Sequence, residues 1–155
     1  MIDRLKRARR KSKGFTLVEL LIVIIIIGIL AGTMMLTAGS GTDKANATKI
    51  VSDLRTLKSA ALMYYSDNAP SWPSGDNAGI LSSYMDRTVS KDSFVFGSGS
   101  SSSDLFIGYK GKLLDQSGVT GRLKAMAGES GLYGGNDGSI SGDYNGTGNV
   151  WMKIR

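Results

Sequence analysis

The feature that most constrains this chain is a run of 24 residues, Phe15 to Ala38 (FTLVELLIVIIIIGILAGTMMLTA), with a single charge, Glu19. At ~1.5 Å per residue it spans ~36 Å as a helix, enough to cross a ~30 Å hydrocarbon core. A cleavable signal core has only about 7–15 apolar residues. Basic residues lie directly before the run, so the positive-inside rule keeps residues 1–14 in the cytoplasm and places everything after about Ala38 outside.

The formal charge of +6 does not mark a nucleic-acid-binding body. Residues 1–14 hold seven Lys/Arg (Arg4, Lys6, Arg7, Arg9, Arg10, Lys11, Lys13) and one acid, Asp3, which accounts for all of it. The remaining twelve basic and twelve acidic residues cancel. A neutral body has no general electrostatic reason to seek phosphate, so no specific nucleic-acid binding is predicted.

The chain has no Cys and no His. Disulfides are excluded, and the commonest general base and zinc ligand is missing. Neither a Gly-x-Ser-x-Gly elbow nor a phosphate loop is present, and the acids are scattered singly. The sequence therefore points to a protein that is not an enzyme.

The helix continues beyond the apolar run. Ala47, Ile50, Val51, Leu54, Leu57, Ala61 and Tyr64 recur at spacings of three and four, while Lys49, Asp53, Arg55 and Lys58 fall largely off that stripe. No Pro occurs before Pro70. One helix from about Phe15 to about Asp67 is expected, ~80 Å long. Its second half should pack against a globular head and its first half project from it.

In the head, a short helix over about Ala78 to Arg87 would turn Ile80, Leu81 and Tyr84 inward. Ser93–Phe96 and Asp104–Tyr109 read as strands. Ser117 to Glu129 reads as a helix with Val119, Leu123 and Met126 on one face and Gly131 past its end. Asn145-Gly146 is a hairpin-type turn signal, and Val150–Ile154 alternates as a final strand. The fold class is α+β, a long helix against a small antiparallel sheet. The expected organisation is a basic leader (1–14), an apolar transmembrane or filament-core helix (15–38), its amphipathic continuation (39–67) and a globular head (68–155). The stretch Gly97 to Ser103 reads as a flexible loop.

The junction Lys13-Gly14-Phe15-Thr16-Leu17-Val18-Glu19 resembles the type IV prepilin family, which includes the pseudopilins of type II secretion. The resemblance is strong over about residues 6–38 and extends through the amphipathic helix to Tyr65. It implies that a prepilin peptidase cuts the Gly14–Phe15 bond and methylates the new amine of Phe15. Gly14 suits such a cut, because it lets a protease approach the backbone closely. The resemblance further implies that Glu19 pairs with the Phe15 amine of a neighbouring subunit and sets the stagger. A carboxylate in a membrane helix costs roughly 2.5–3.5 kcal/mol and is a functional hypothesis by default. The bland alternative is that Glu19, one turn into the helix, reaches the headgroup region unaided. Many pilins carry a Pro where this chain has Leu36. Gly28 and Gly32 serve either to loosen the helix or to pack closely against other helices.

Asn136, Asp137, Ser139, Asp143 and Asn145 form an oxygen-rich loop of the kind calcium favours. The spacing is not that of an EF-hand, so a polar turn between strands is the simpler reading, with calcium as the alternative. No other cofactor is implied. Trp72 and Trp151 fit core packing better than adhesion. Of Tyr64 and Tyr65, one is expected to face the head core and the other a neighbour or solvent. The Arg9-Arg10 pair reads as leader charge.

The leading expectation is a structural filament subunit, either of a surface pilus or, alternatively, of a type II secretion pseudopilus as its major pseudopilin. An uncleaved membrane-anchored binding domain, or a protein released near Ala38 by ordinary signal peptidase, would differ in the mature N-terminus. The implied partners are identical or related subunits, the prepilin peptidase, membrane lipid before assembly, and an inner-membrane platform with its ATPase. The implied location is the bacterial inner membrane for the precursor and an extracellular or periplasmic filament afterwards.

Overall fold

A computed structural model describes residues 14–75, 78–86, 89–90, 92–101, 103–136, 139–140 and 142–155. Residues 1–13 of the expected leader, Arg87 and Asp137 lie outside the described residues. The chain divides into two compact units, Met1–Ala38 and Gly39–Arg155.

The first helix, α1, runs from Leu17 to Asn68 as a single 52-residue element. It is the one described helix long and apolar enough to cross a membrane, with a mean hydropathy of 2.8 over its most apolar window. In the first unit its apolar side chains, Leu17 through Met35, are exposed all round. A helix apolar on every face belongs in lipid or in a large apolar core.

In the second unit α1 is one-sided. Ala47, Ile50, Val51, Leu54, Leu57, Ala60 and Ala61 are buried in the main core, following the expected three-and-four spacing. Asp53 departs from that expectation. It sits beside the stripe and is buried, with only 8% of its surface exposed.

Four antiparallel strands follow: β1 (Phe94–Ser98), β2 (Leu105–Tyr109), β3 (Leu132–Tyr133) and β4 (Val150–Lys153). Their spatial order is β1-β2-β4-β3. The pleat sorts side chains between two faces. Phe94, Phe96, Ile107, Tyr109, Val150 and Met152 join the main core with α1. Val95, Phe106 and Trp151 point the other way and form a second cluster with Ile140. Ile140 comes from the segment between β3 and β4, which bridges back to Gly99 and so covers this face. Gly108 pairs with Trp151 across β2 and β4, and a Cβ at Gly108 would run into the indole ring. The indole N–H donates to the Gly135 carbonyl at 2.8 Å.

The helix α2 spans Ser117–Ser130 and buries Val119, Leu123 and Ala127. Met126, expected on that face, is half-buried instead. Gly131 ends the helix in the left-handed region, with φ 62° and ψ 48°, a conformation that favours glycine. The expected helix after Ala78 is a 3-10 helix, Ala78–Tyr84. At its tighter pitch the inward residues become Ala78 and Leu81, and Ile80 is 41% exposed. Asn145-Gly146 turns the chain within the long β3–β4 connection and does not close a two-residue hairpin.

Candidate processing and assembly site

Residues 14–16 precede the first helical residue and are not helical. Among the described residues, and apart from its chain neighbours, nothing lies within 4 Å of where a Cβ on Gly14 would stand, and Phe15 is 86% exposed. The Gly14–Phe15 bond thus lies in open, non-helical backbone, which is what a peptidase needs.

Thr16 is the N-cap of α1 and Glu19 its third residue. The Thr16 N–H and hydroxyl both donate to Glu19 Oε2, at 2.8 and 2.7 Å, and the Glu19 N–H donates to the Thr16 hydroxyl oxygen at 3.2 Å. Leu20 N–H completes the first turn by donating to the Thr16 carbonyl at 3.2 Å. This is a reciprocal capping box, which satisfies two N-terminal N–H groups that have no partner within the helix. The Thr16-x-x-Glu19 spacing is the sequence signal for it, independent of the charge on Glu19. Glu19 Oε1 accepts no hydrogen bond among the described residues, so the carboxylate keeps an open oxygen at an exposed helix end.

The other candidate residues fall elsewhere. Asn136, Asp143 and Asn145 lie in the β3–β4 connection. Asn145 Oδ1 accepts from the Thr147 N–H and hydroxyl at 3.0 and 2.8 Å, closing an Asx turn. No group of three or more His, Cys, Asp or Glu side chains is placed to hold a metal among the described residues. Trp151 is 1% exposed. Trp72 is half-buried between Tyr65, stacked at 4.1 Å, and the Arg155 guanidinium, 5.2 Å from its ring centre. Tyr64 packs against the main core and edge-on to Tyr84.

Asp53 was not singled out as a site residue, because periodicity ranks positions by polarity and it is polar. It lines a cleft of about 170 Å³ with Lys49, Ser90, Ser93 and Tyr109. Burial pushes the Tyr109 hydroxyl above its ordinary range, and the Asp53 charge adds to the rise against an opposing hydrogen bond from the Leu113 backbone.

The model of the prokaryotic N-terminal methylation motif matches residues 9–35. The type II secretion system core protein G of Klebsiella michiganensis is 44% identical over 61 residues, which is 39% of this chain and 43% of that protein. The protein of the same name from Escherichia coli K12 is 44% identical over 62 residues, 40% of this chain and 43% of the relative. That of Pseudomonas aeruginosa is 38% identical over 60 residues, 39% and 42% respectively. The chain thus spans less than half the length of the curated relatives it matches. No solved structure matches the chain.

Proposed function

We propose, from an N-terminal segment that is of the type IV pilin and pseudopilin kind, that this chain is the precursor of a structural filament subunit. The observation that carries the reading is the Gly14-to-Glu19 junction. It combines an open glycine bond, a capped helix start and a carboxylate with a free oxygen, at the head of a helix that is apolar on every face. A prepilin peptidase cuts after Gly14 and the Phe15 amine is methylated. The apolar helix survives the cut and becomes the contact between subunits. Glu19 then pairs with the Phe15 amine of a neighbour, which neutralises two charges in an apolar environment. Such a pair supports register more than stability.

The partners in this reading are further subunits, the peptidase, lipid before assembly, and a platform with an ATPase that extracts the helix from the bilayer. The subunit carries no chemistry of its own. Between the two filament types, a type IV pilus and a type II secretion pseudopilus, the similarity to type II secretion system core protein G favours the pseudopilus.

The test is intact-mass measurement and N-terminal sequencing of the protein from its native cell, alongside Glu19→Ala. The expected result is a start at N-methylated Phe15, with Glu19→Ala processed but absent from filaments. A start at Met1 or near Gly39 would overturn the reading, leaving an anchor or a discarded signal.

A further inference from the structure

Besides the shared apolar core, two polar contacts among the described residues join α1 to α2 inside the unit Gly39–Arg155, one at each end of α2. At the N-terminal end the Asp43 carboxylate lies on Gly118, so close that a Cβ at Gly118 would collide with it. At the C-terminal end Arg55 Nη2 donates to the hydroxyl of Ser130, the last residue of α2, at 3.5 Å. Asp43 precedes Arg55 by as many residues as Gly118 precedes Ser130, so both helices rise by about 18 Å between the two contacts. They run in the same direction, and between them lies a groove of about 330 Å³ lined by Thr48, Ser52, Arg55, Met126 and Ser130.

The ends of α2 lie beside the middle of α1, so any compensating charge from α1 has to come from its side chains. The N-terminus of a helix carries partial positive charge and its C-terminus partial negative charge. α2 brings nothing of its own to offset this: its N-cap, Gln116, makes no side-chain capping bond, its first turn has no acid, and its last turn has no base. α1 supplies both missing charges, an anion at the start of α2 and a cation at its end. Gly118 completes the arrangement. Gly121 and Gly128 of the same helix have open space where a Cβ would stand, whereas the space at Gly118 is filled by Asp43.

We propose that Asp43 and Arg55 form an electrostatic ruler that sets the direction and register of α2 on α1, with Gly118 as the residue that admits the carboxylate. This stands independently of the filament reading. Within α1, Asp43 and Arg55 are an acid and a base at the spacing that separates Gly118 from Ser130.

The experiment uses the full chain in detergent micelles and reads thermal unfolding at low and at 1 M salt, with amide hydrogen exchange of Gly118 and Val119. Asp43→Asn and Arg55→Gln are each expected to lower Tm by about 2–6 °C at low salt. High salt should erase most of the difference. Exchange at Gly118 and Val119 should quicken in Asp43→Asn. Asp86→Asn, at an exposed residue outside both helices, serves as the control and should change little. Gly118→Ala should lower Tm in the native background and raise it beside Asp43→Ala, because alanine is the better helix former once the carboxylate is gone. The proposal is overturned if Gly118→Ala raises Tm in both backgrounds, or if the Asp43→Asn loss is the same at both salt concentrations, which would leave packing as the only role.

Discussion

Thr16 and Glu19 hold each other at the start of α1, each accepting a hydrogen bond from the other's backbone N–H. The carboxylate that the filament reading assigns to a neighbour's amine is therefore already in use within its own chain, through one of its two oxygens. The two roles can be separated, because an amide keeps an acceptor oxygen and loses the charge. Glu19→Gln is expected to be processed normally and to keep the helix start ordered, yet to fail in filaments by at least tenfold. Thr16→Ala, by contrast, should loosen the first turn by about 1 kcal/mol, read as faster amide exchange at Val18 and Glu19 in micelles. Normal assembly of Glu19→Gln would show that capping, and not charge, is what the filament uses.

Gly108 faces the Trp151 ring across two paired strands. Gly108→Ala drives a methyl into that ring, and overpacking of this kind costs about 1–3 kcal/mol. A lowered Tm with a red-shifted tryptophan emission is the expected signature. An unchanged emission maximum would mean that the second cluster repacks without displacing the indole.

Burial raises Tyr109 and Tyr144 above the ordinary 10.0 of a tyrosine. The folded state therefore keeps its phenol protons at a pH where the unfolded chain has begun to lose them. Their contribution is fully present below about pH 10 and disappears as pH rises through the higher folded values. Stability should fall on the alkaline side, and Tyr109→Phe should flatten that fall while leaving the acid limb unchanged. An alkaline limb identical in Tyr109→Phe and the native chain would remove Tyr109 from the account.

The β3–β4 connection offers one described carboxylate, Asp143, and its Asn145 amide oxygen is held by Thr147. Calcium affinity depends on ligand charge and number. Addition of about 1 mM calcium, the scale of extracellular sites, is expected to leave Tm within 1 °C, and Asp143→Asn to leave it equally indifferent. A calcium-dependent rise that Asp143→Asn abolishes would establish the calcium alternative.

The long helix was legible because its core stripe is local: Ile50, Leu54, Leu57 and Ala61 recur every turn and need no knowledge of the rest of the fold. β4 was legible for the same reason, since alternation at Val150, Trp151 and Met152 matches the pleat. Burial of Asp53 was not, because a polar residue beside an apolar stripe reads as solvated until the two strands carrying Phe94 and Tyr109 are laid over it. Ile80 was misplaced because its segment coils with three residues per turn, which moves the inward face to Ala78 and Leu81. In the candidate site, Gly14, Phe15 and Glu19 were plain as a linear motif. The meeting of Asp43 with Gly118 joins residues far apart in sequence, and no local pattern announces it.

β4, the last of the described strands, lies inside the sheet between β2 and β3. Its partners at Phe106–Tyr109 and Leu132–Tyr133 are synthesised earlier and must wait for it. If residues 1–14 stay in the cytoplasm while the segments beyond the apolar run cross a bilayer, the sheet cannot close until about residue 153 has emerged on the far side. On the filament reading, translocation and folding would thereby be put in order, because the middle of the sheet waits for β4 to cross. A cut a few residues short of Lys153 would cost the middle of the sheet, where a cut at an edge strand would only trim it.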